Sequence, residues 1–105
     1  MLNKKANDLT LEEKQDLVVG MYMYWVFHDA QYNDYCFLDG LIKGDGITQL
    51  DLEKHSYMVL KEFEEAFARP YYEETEIDLE ETNITVEEML SKLGRTEIIQ
   101  YLNYE

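Results

Sequence analysis

Eleven consecutive residues, Leu17 to Phe27, carry no charge: Leu-Val-Val-Gly-Met-Tyr-Met-Tyr-Trp-Val-Phe. They include the single tryptophan of the chain. Each Å² of apolar surface left in water costs about 25 cal/mol, so a soluble fold must bury this run and arrange its other segments around it. The run falls well short of the roughly 20 residues that cross a bilayer. Periodicity alone leaves helix and strand open, because the run is apolar all round and Val, Tyr, Trp and Phe also favour strands. The residues upstream favour a helix. Thr10-Leu-Glu-Glu13 has the capping-box pattern, and Glu12, Glu13 and Asp16 suit the positive end of a helix dipole. No turn signal follows before residue 38, so a helix is expected from about Leu11, with a break near Asn33. Unbroken to residue 38 it would be roughly 42 Å long. Gly20 is its weak point, costing about 1 kcal/mol relative to alanine, but a glycine also lets another backbone approach closely.

Met1 to Leu9 is polar and expected to be flexible. Asp39-Gly40 and Lys43-Gly44-Asp45-Gly46 are the strongest loop signal. Thr48 is the expected N-cap of a second helix, with Leu52, Val59, Phe63 and Phe67 as its buried stripe and Leu60 and Ala66 in support. Pro70 should end it, with Arg69 pushed out of helical geometry. In Tyr71–Asn83, Ile77 and Leu79 alternate with acids, which leaves room for a short strand or extended arm near Ile77. Thr85-Val-Glu-Glu88 is a second capping box, opening a helix that runs through Leu93 and closes at Gly94. Thr96 is the expected cap of a last helix through Leu102. The fold class is mainly α, with three to four helices around a buried aromatic helix; α+β is the alternative if Leu17–Phe27 is a strand. At 105 residues, without repeats or low-complexity tracts, the chain reads as a single domain over 1–105.

An EF-hand alignment of Asp45-Gly46 puts Leu41 and Lys43 at the first and third ligand positions and Leu52 where a bidentate glutamate belongs, so calcium is not expected. His28 and Cys36 lie eight residues apart, some 12 Å along a helix axis, too far to share a proton or a metal. No phosphate-binding glycine loop and no GxSxG occurs. Nothing singles out a contrasted catalytic pair among 23 carboxylates. No cofactor, metal or catalytic residue is therefore expected, and the protein is read as not an enzyme. Cys36 is the only cysteine, which excludes an intramolecular disulfide and fits a reducing, cytoplasmic compartment. Tyr22, Tyr24, Tyr32 and Tyr35 are either core residues or a partner surface, since tyrosine is enriched at interface hot spots.

Charge is the informative property. The 23 acids face 9 bases, a formal net charge of −14. That exceeds the magnitude of about 2–8 that keeps a small domain soluble, and self-repulsion strains the compact state. The imbalance argues against direct binding to nucleic acid or an anionic membrane and for a basic protein partner. The acids are also segregated. Pro70–Ser91 has eight acids and no Lys or Arg; Gln15–Ile42 has four more and again no base. The expected contact residues are Glu73, Glu74, Glu76, Asp78, Glu80 and Glu81, with Asp29, Asp34 and Asp39 as a second row and Tyr71 and Tyr72 as anchors. Carboxylates two residues apart on a strand are spaced roughly 6–7 Å, comparable to the phosphates along one nucleic-acid strand. Such a row can compete for a groove built for nucleic acid, and steering would make association fast and salt-sensitive.

In size, charge, tyrosine content and its Tyr71–Glu88 acidic segment, the chain resembles the DNA-mimic inhibitors of phages and mobile elements, the anti-CRISPR and antirestriction proteins. The resemblance implies stoichiometric inhibition of a nucleic-acid-binding nuclease, such as a Cas effector, inside the bacterial host cell. Two alternatives come from other classes: an immunity or antidote protein that neutralises a basic toxin, and a non-catalytic adaptor that docks through its aromatics.

Overall fold

The computed structural model describes residues 1–28 and 52–102, with backbone only for 25–28, 52 and 53. Within them the chain is mainly α. Four helices are present: α1 (Leu11–His28), α2 (Leu52–Phe63), α3 (Arg69–Thr75) and α4 (Val86–Lys92). Three 3-10 turns, Ala6–Asp8, Leu79–Glu81 and Thr96–Tyr101, connect or terminate them. Thr48, the Asp39–Gly46 loop, Asn33, Tyr32, Tyr35 and Cys36 lie outside the described residues.

The apolar run is helical, as the capping box upstream requires. Both halves of the box are made: the Glu13 amide donates to Thr10 Oγ1 at 3.1 Å, and the Thr10 amide donates to Glu13 Oε1 at 2.9 Å. Lys4 Nζ adds a 2.6 Å ion pair to the same carboxylate. Together these hold the Glu13 carboxyl below its ordinary value, the Lys4 hydrogen bond being the largest cause. Leu17, Val18, Val19, Gly20, Met21 and Tyr22 are all buried. Six successive buried residues cover every side of a helix, so α1 has no solvent face there and is the axis of the core. Of the tyrosines weighed as core or partner surface, Tyr22 is core: it is 3% exposed, and its hydroxyl donates to Glu62 of α2. Tyr24 is half-buried, edge-on to Tyr101 at 6.5 Å between ring centroids.

Gly20 does what a glycine in such a helix can do. A Cβ there would stand 2.8 Å from Leu102 Cδ2 and 3.6 Å from the Ile98 carbonyl oxygen, so its absence lets the Thr96–Tyr101 turn lie directly on α1. Fully buried Phe67, Met89, Leu90, Ile98 and Val86 complete the core.

Several expectations are corrected. Met1–Leu9 is tied down: Ala6 and Leu9 are buried, and the Lys4 and Leu2 carbonyls accept from the Val86 and Glu87 amides at 2.9 and 3.1 Å. The first amides of a helix have no partner within it, and here the N-terminal segment supplies two. The second capping box accounts for the next, with Glu88 N donating to Thr85 Oγ1 at 3.2 Å. No strand forms near Ile77; the single bridge among the described residues pairs Lys5 with Thr85, and Leu79–Glu81 is a 3-10 turn. Leu60 is 46% exposed and does not join the stripe of Val59, Phe63 and Phe67. Thr96 is not a cap: Arg95 precedes the last turn, which has no side-chain cap.

The largest correction concerns Pro70. The helix does not stop there. It widens into a π turn over Glu64–Ala68 and continues as α3 to Thr75, with Arg69 in the right-handed helical region at φ −66°, ψ −49°. Proline has no N–H to give to the carbonyl four residues back, which is that of Ala66. The Arg95 guanidinium donates to that carbonyl instead, from 29 residues away, while standing 5.9 Å from the centroid of the Phe67 ring.

Candidate acidic interface

The site follows from how α3 and its sequel present their side chains. On α3, Tyr71 faces the core and is 2% exposed. It is therefore a packing residue, which corrects its assignment as an anchor. Tyr72, one position on, is 55% exposed and keeps that role open. Glu73 and Glu74 follow on the exposed side of the helix. The helix ends at Glu76, whose backbone is left-handed at φ 61° and whose amide donates to the Tyr72 carbonyl at 2.7 Å. This turn throws Ile77 and Asp78 outward, Ile77 being 47% exposed. Leu79 then plugs into the core at 2% exposure, and Glu80 and Glu81 stand out from the 3-10 turn that it anchors.

All six expected primary acids are thus exposed, on one continuous stretch of surface chain around Tyr72 and Ile77. Glu87 and Glu88 of α4 are exposed as well. The stretch itself contains no Lys or Arg, and cations approach it from its ends. Arg69 at its start pairs with Glu65 at 3.1 Å and reaches Glu73 at 4.0 Å; Lys5 lies across the bridge from Thr85 at its end. Asn7 holds the stretch against the N-terminal segment, donating to the Thr82 carbonyl at 2.7 Å and the Glu80 carbonyl at 3.4 Å. The second row, Asp29, Asp34 and Asp39, lies outside the described residues. On α1, burial is the main cause that raises the Asp16 carboxyl above its ordinary range, and the nearby Glu12 and Glu13 add to it.

One feature was not anticipated from sequence. A cleft of about 460 Å³ lies between the Ala6–Asp8 turn, α1, the C-terminal half of α2 and the Leu79–Glu81 turn. Leu60, Phe63, Ala68 and Leu79 supply its apolar lining, and Asn7, Lys14, Glu64 and Glu80 its polar groups. Lys14 Nζ stands 5.3 Å from the centroid of the Phe63 ring. The available signal was weak. Tyr57, Leu60 and Glu64 share a helical face by spacing, but apolar Leu60 reads as core.

Among the described residues, no group of three or more His, Cys, Asp or Glu is placed to hold a metal ion, and no helix is long and apolar enough to cross a membrane. Comparisons with protein-family models, curated proteins and solved structures return no match.

Proposed function

We propose that the protein is a stoichiometric inhibitor that occupies the basic nucleic-acid groove of a nuclease, such as a Cas effector, through its acidic stretch. The observation that carries this reading is the exposure of Glu73, Glu74, Glu76, Asp78, Glu80 and Glu81 along one run of chain that has no Lys or Arg from Pro70 to Ser91. Their role is electrostatic: carboxylates meet Lys and Arg that otherwise contact phosphates, and Tyr72 supplies contact area at low entropic cost. Binding of this kind rises steeply as salt falls and competes with nucleic acid.

The test is a cleavage assay with RNA-guided and restriction nucleases, each mixed with the protein at equimolar ratio. Inhibition should weaken at raised salt and on adding uncleavable DNA, and a variant with all six acids changed to Gln or Asn should lose it. A six-fold variant that inhibits as well as the wild type removes these residues from the site. Inhibition indifferent to competing DNA removes the groove as the target.

A further inference from the structure

We infer that the cleft beside the acidic stretch is a docking pocket for an apolar side chain on a basic, helical segment of the protein partner. This rests on the reading of the partner as a basic protein. It adds an anchor that charge alone does not provide.

The cleft has the size of a ligand pocket, about 460 Å³ against a usual range of about 300–1,000 Å³. Of its apolar lining, Leu60 on α2 is exposed, while Phe63 on α2, Ala68 in the π turn and Leu79 from the turn of the acidic stretch form a buried floor. Leu60 is 46% exposed, and Tyr57, one turn earlier on α2, is 75% exposed, so apolar surface continues outward from the cleft along the helix. The charges decide the occupant. Glu64 and Glu80, both exposed, line it from two separate segments, the π turn and the 79–81 turn. Lys14 also lines the cleft, held over the Phe63 ring. A cation entering beside Lys14 would be repelled, whereas a cation at the rim meets Glu64 or Glu80. The complementary segment therefore places a Leu, Met or aromatic side chain in the cleft and Lys or Arg on either side of it. An amphipathic basic helix has this arrangement. Glu80 belongs to both features, so the pocket and the acidic row would engage one continuous partner surface.

The test uses two labelled 18-residue peptides of equal positive charge. One carries Leu and Lys in helical register with leucines at i, i+3, i+4 and i+7; in the other, serines replace the leucines. Fluorescence anisotropy should show the amphipathic peptide binding the full chain at least ten-fold tighter. Amide shifts in NMR spectra should move at Asn7, Ala68 and Leu79. Leu60→Ser, at an exposed position, should cut the preference to two-fold or less, and A68L should do the same by filling the cleft. Equal binding of the two peptides overturns the proposal, as does a preference that survives both substitutions or shifts confined to the Tyr72–Ile77 surface. A five-fold variant (E73Q, E74Q, E76Q, D78N, E81Q) that keeps Glu80 in the cleft separates the two proposals. It should weaken both peptides and leave the leucine preference in place, so the pocket can fail while the acidic row stands, and the reverse.

Discussion

Two stretches that lie against each other in the fold obey different rules. Thr85–Arg95 is locally consistent throughout. Thr85 caps the first turn of α4, Glu87 and Glu88 sit at its positive end and Lys92 at its negative end. Gly94, at φ 68°, closes it with paired bonds: Gly94 N donates to the Ser91 carbonyl at 3.1 Å and Arg95 N to the Leu90 carbonyl at 2.8 Å. Glu64–Glu76 does the opposite. It carries a proline inside a continuing helix, a π turn before it and a glutamate in the left-handed conformation at its end. Each departure costs of order 1–3 kcal/mol and persists only when surrounding structure enforces it. The enforcement comes from the consistent stretch itself, through Arg95 on the Ala66 carbonyl, and from the burial of Tyr71. Local rules tend to be broken at functional sites, and here the irregular stretch leads directly into the acidic residues.

That contrast can be broken at its strongest link. R95M removes the donor to the Ala66 carbonyl and should cost about 2–3 kcal/mol, because a charged hydrogen bond is lost and a buried acceptor is orphaned. Urea unfolding would measure it, and a loss below 1 kcal/mol would show that the π turn holds itself. T85A tests the consistent stretch. It should cost about 1 kcal/mol, the usual value of an N-cap, so R95M should be the more damaging of the two.

The two left-handed helix ends form a matched pair. G94A should destabilise by about 1 kcal/mol. This cost is purely conformational, since nothing lies within 4 Å of the added Cβ. E76G should stabilise by about 0.5–1 kcal/mol by removing the same penalty at the other end. Thermal midpoints that move the same way for both would refute the claim that Glu76 is strained.

The smallest effect is a pH dependence at α1. Glu13 is held below its ordinary value by Lys4 and Thr10. Its contribution is therefore complete above the unfolded-state value, near 4.5, and is lost as the pH falls through the lower folded one. The stability difference between wild type and E13Q should be present at pH 6–7 and shrink through the acid range. Asp16 has the opposite sign, because its carboxyl is raised mainly by burial. Its ionised form opposes folding at neutral pH, so D16N should stabilise there and lose its advantage as the pH falls through the raised folded value, with none left below the unfolded-state one. Both groups are partly exposed, and added salt should diminish both effects.

Helix starts at Thr10 and Thr85, the stop at Gly94 and the burial of Leu17–Tyr22 were legible in the sequence, because each depends on residues within a turn of one another or on bulk apolarity. The exposure of the six acids was legible for the same reason: lone carboxylates do not enter an apolar interior. Pro70 misled because its missing hydrogen bond is supplied by Arg95. Tyr71 misled because the residue that faces inward depends on the phase of α3, and a π turn shifts that phase. Met1–Leu9 misled because its carbonyls find partners in α4, far along the chain. The cleft was illegible because its walls come from four separated segments.

By itself, then, the sequence determined that the chain is helical, which run forms its axis, and that its surface is strongly anionic, since propensity, capping, apolar content and charge are properties of near neighbours. Only the tertiary structure decided that the helix passes through Pro70, that the N-terminus is pinned, and that a pocket opens beside the acidic row. Those depend on which distant group arrives to satisfy a carbonyl, an amide or an apolar wall, and no local pattern of residues specifies that.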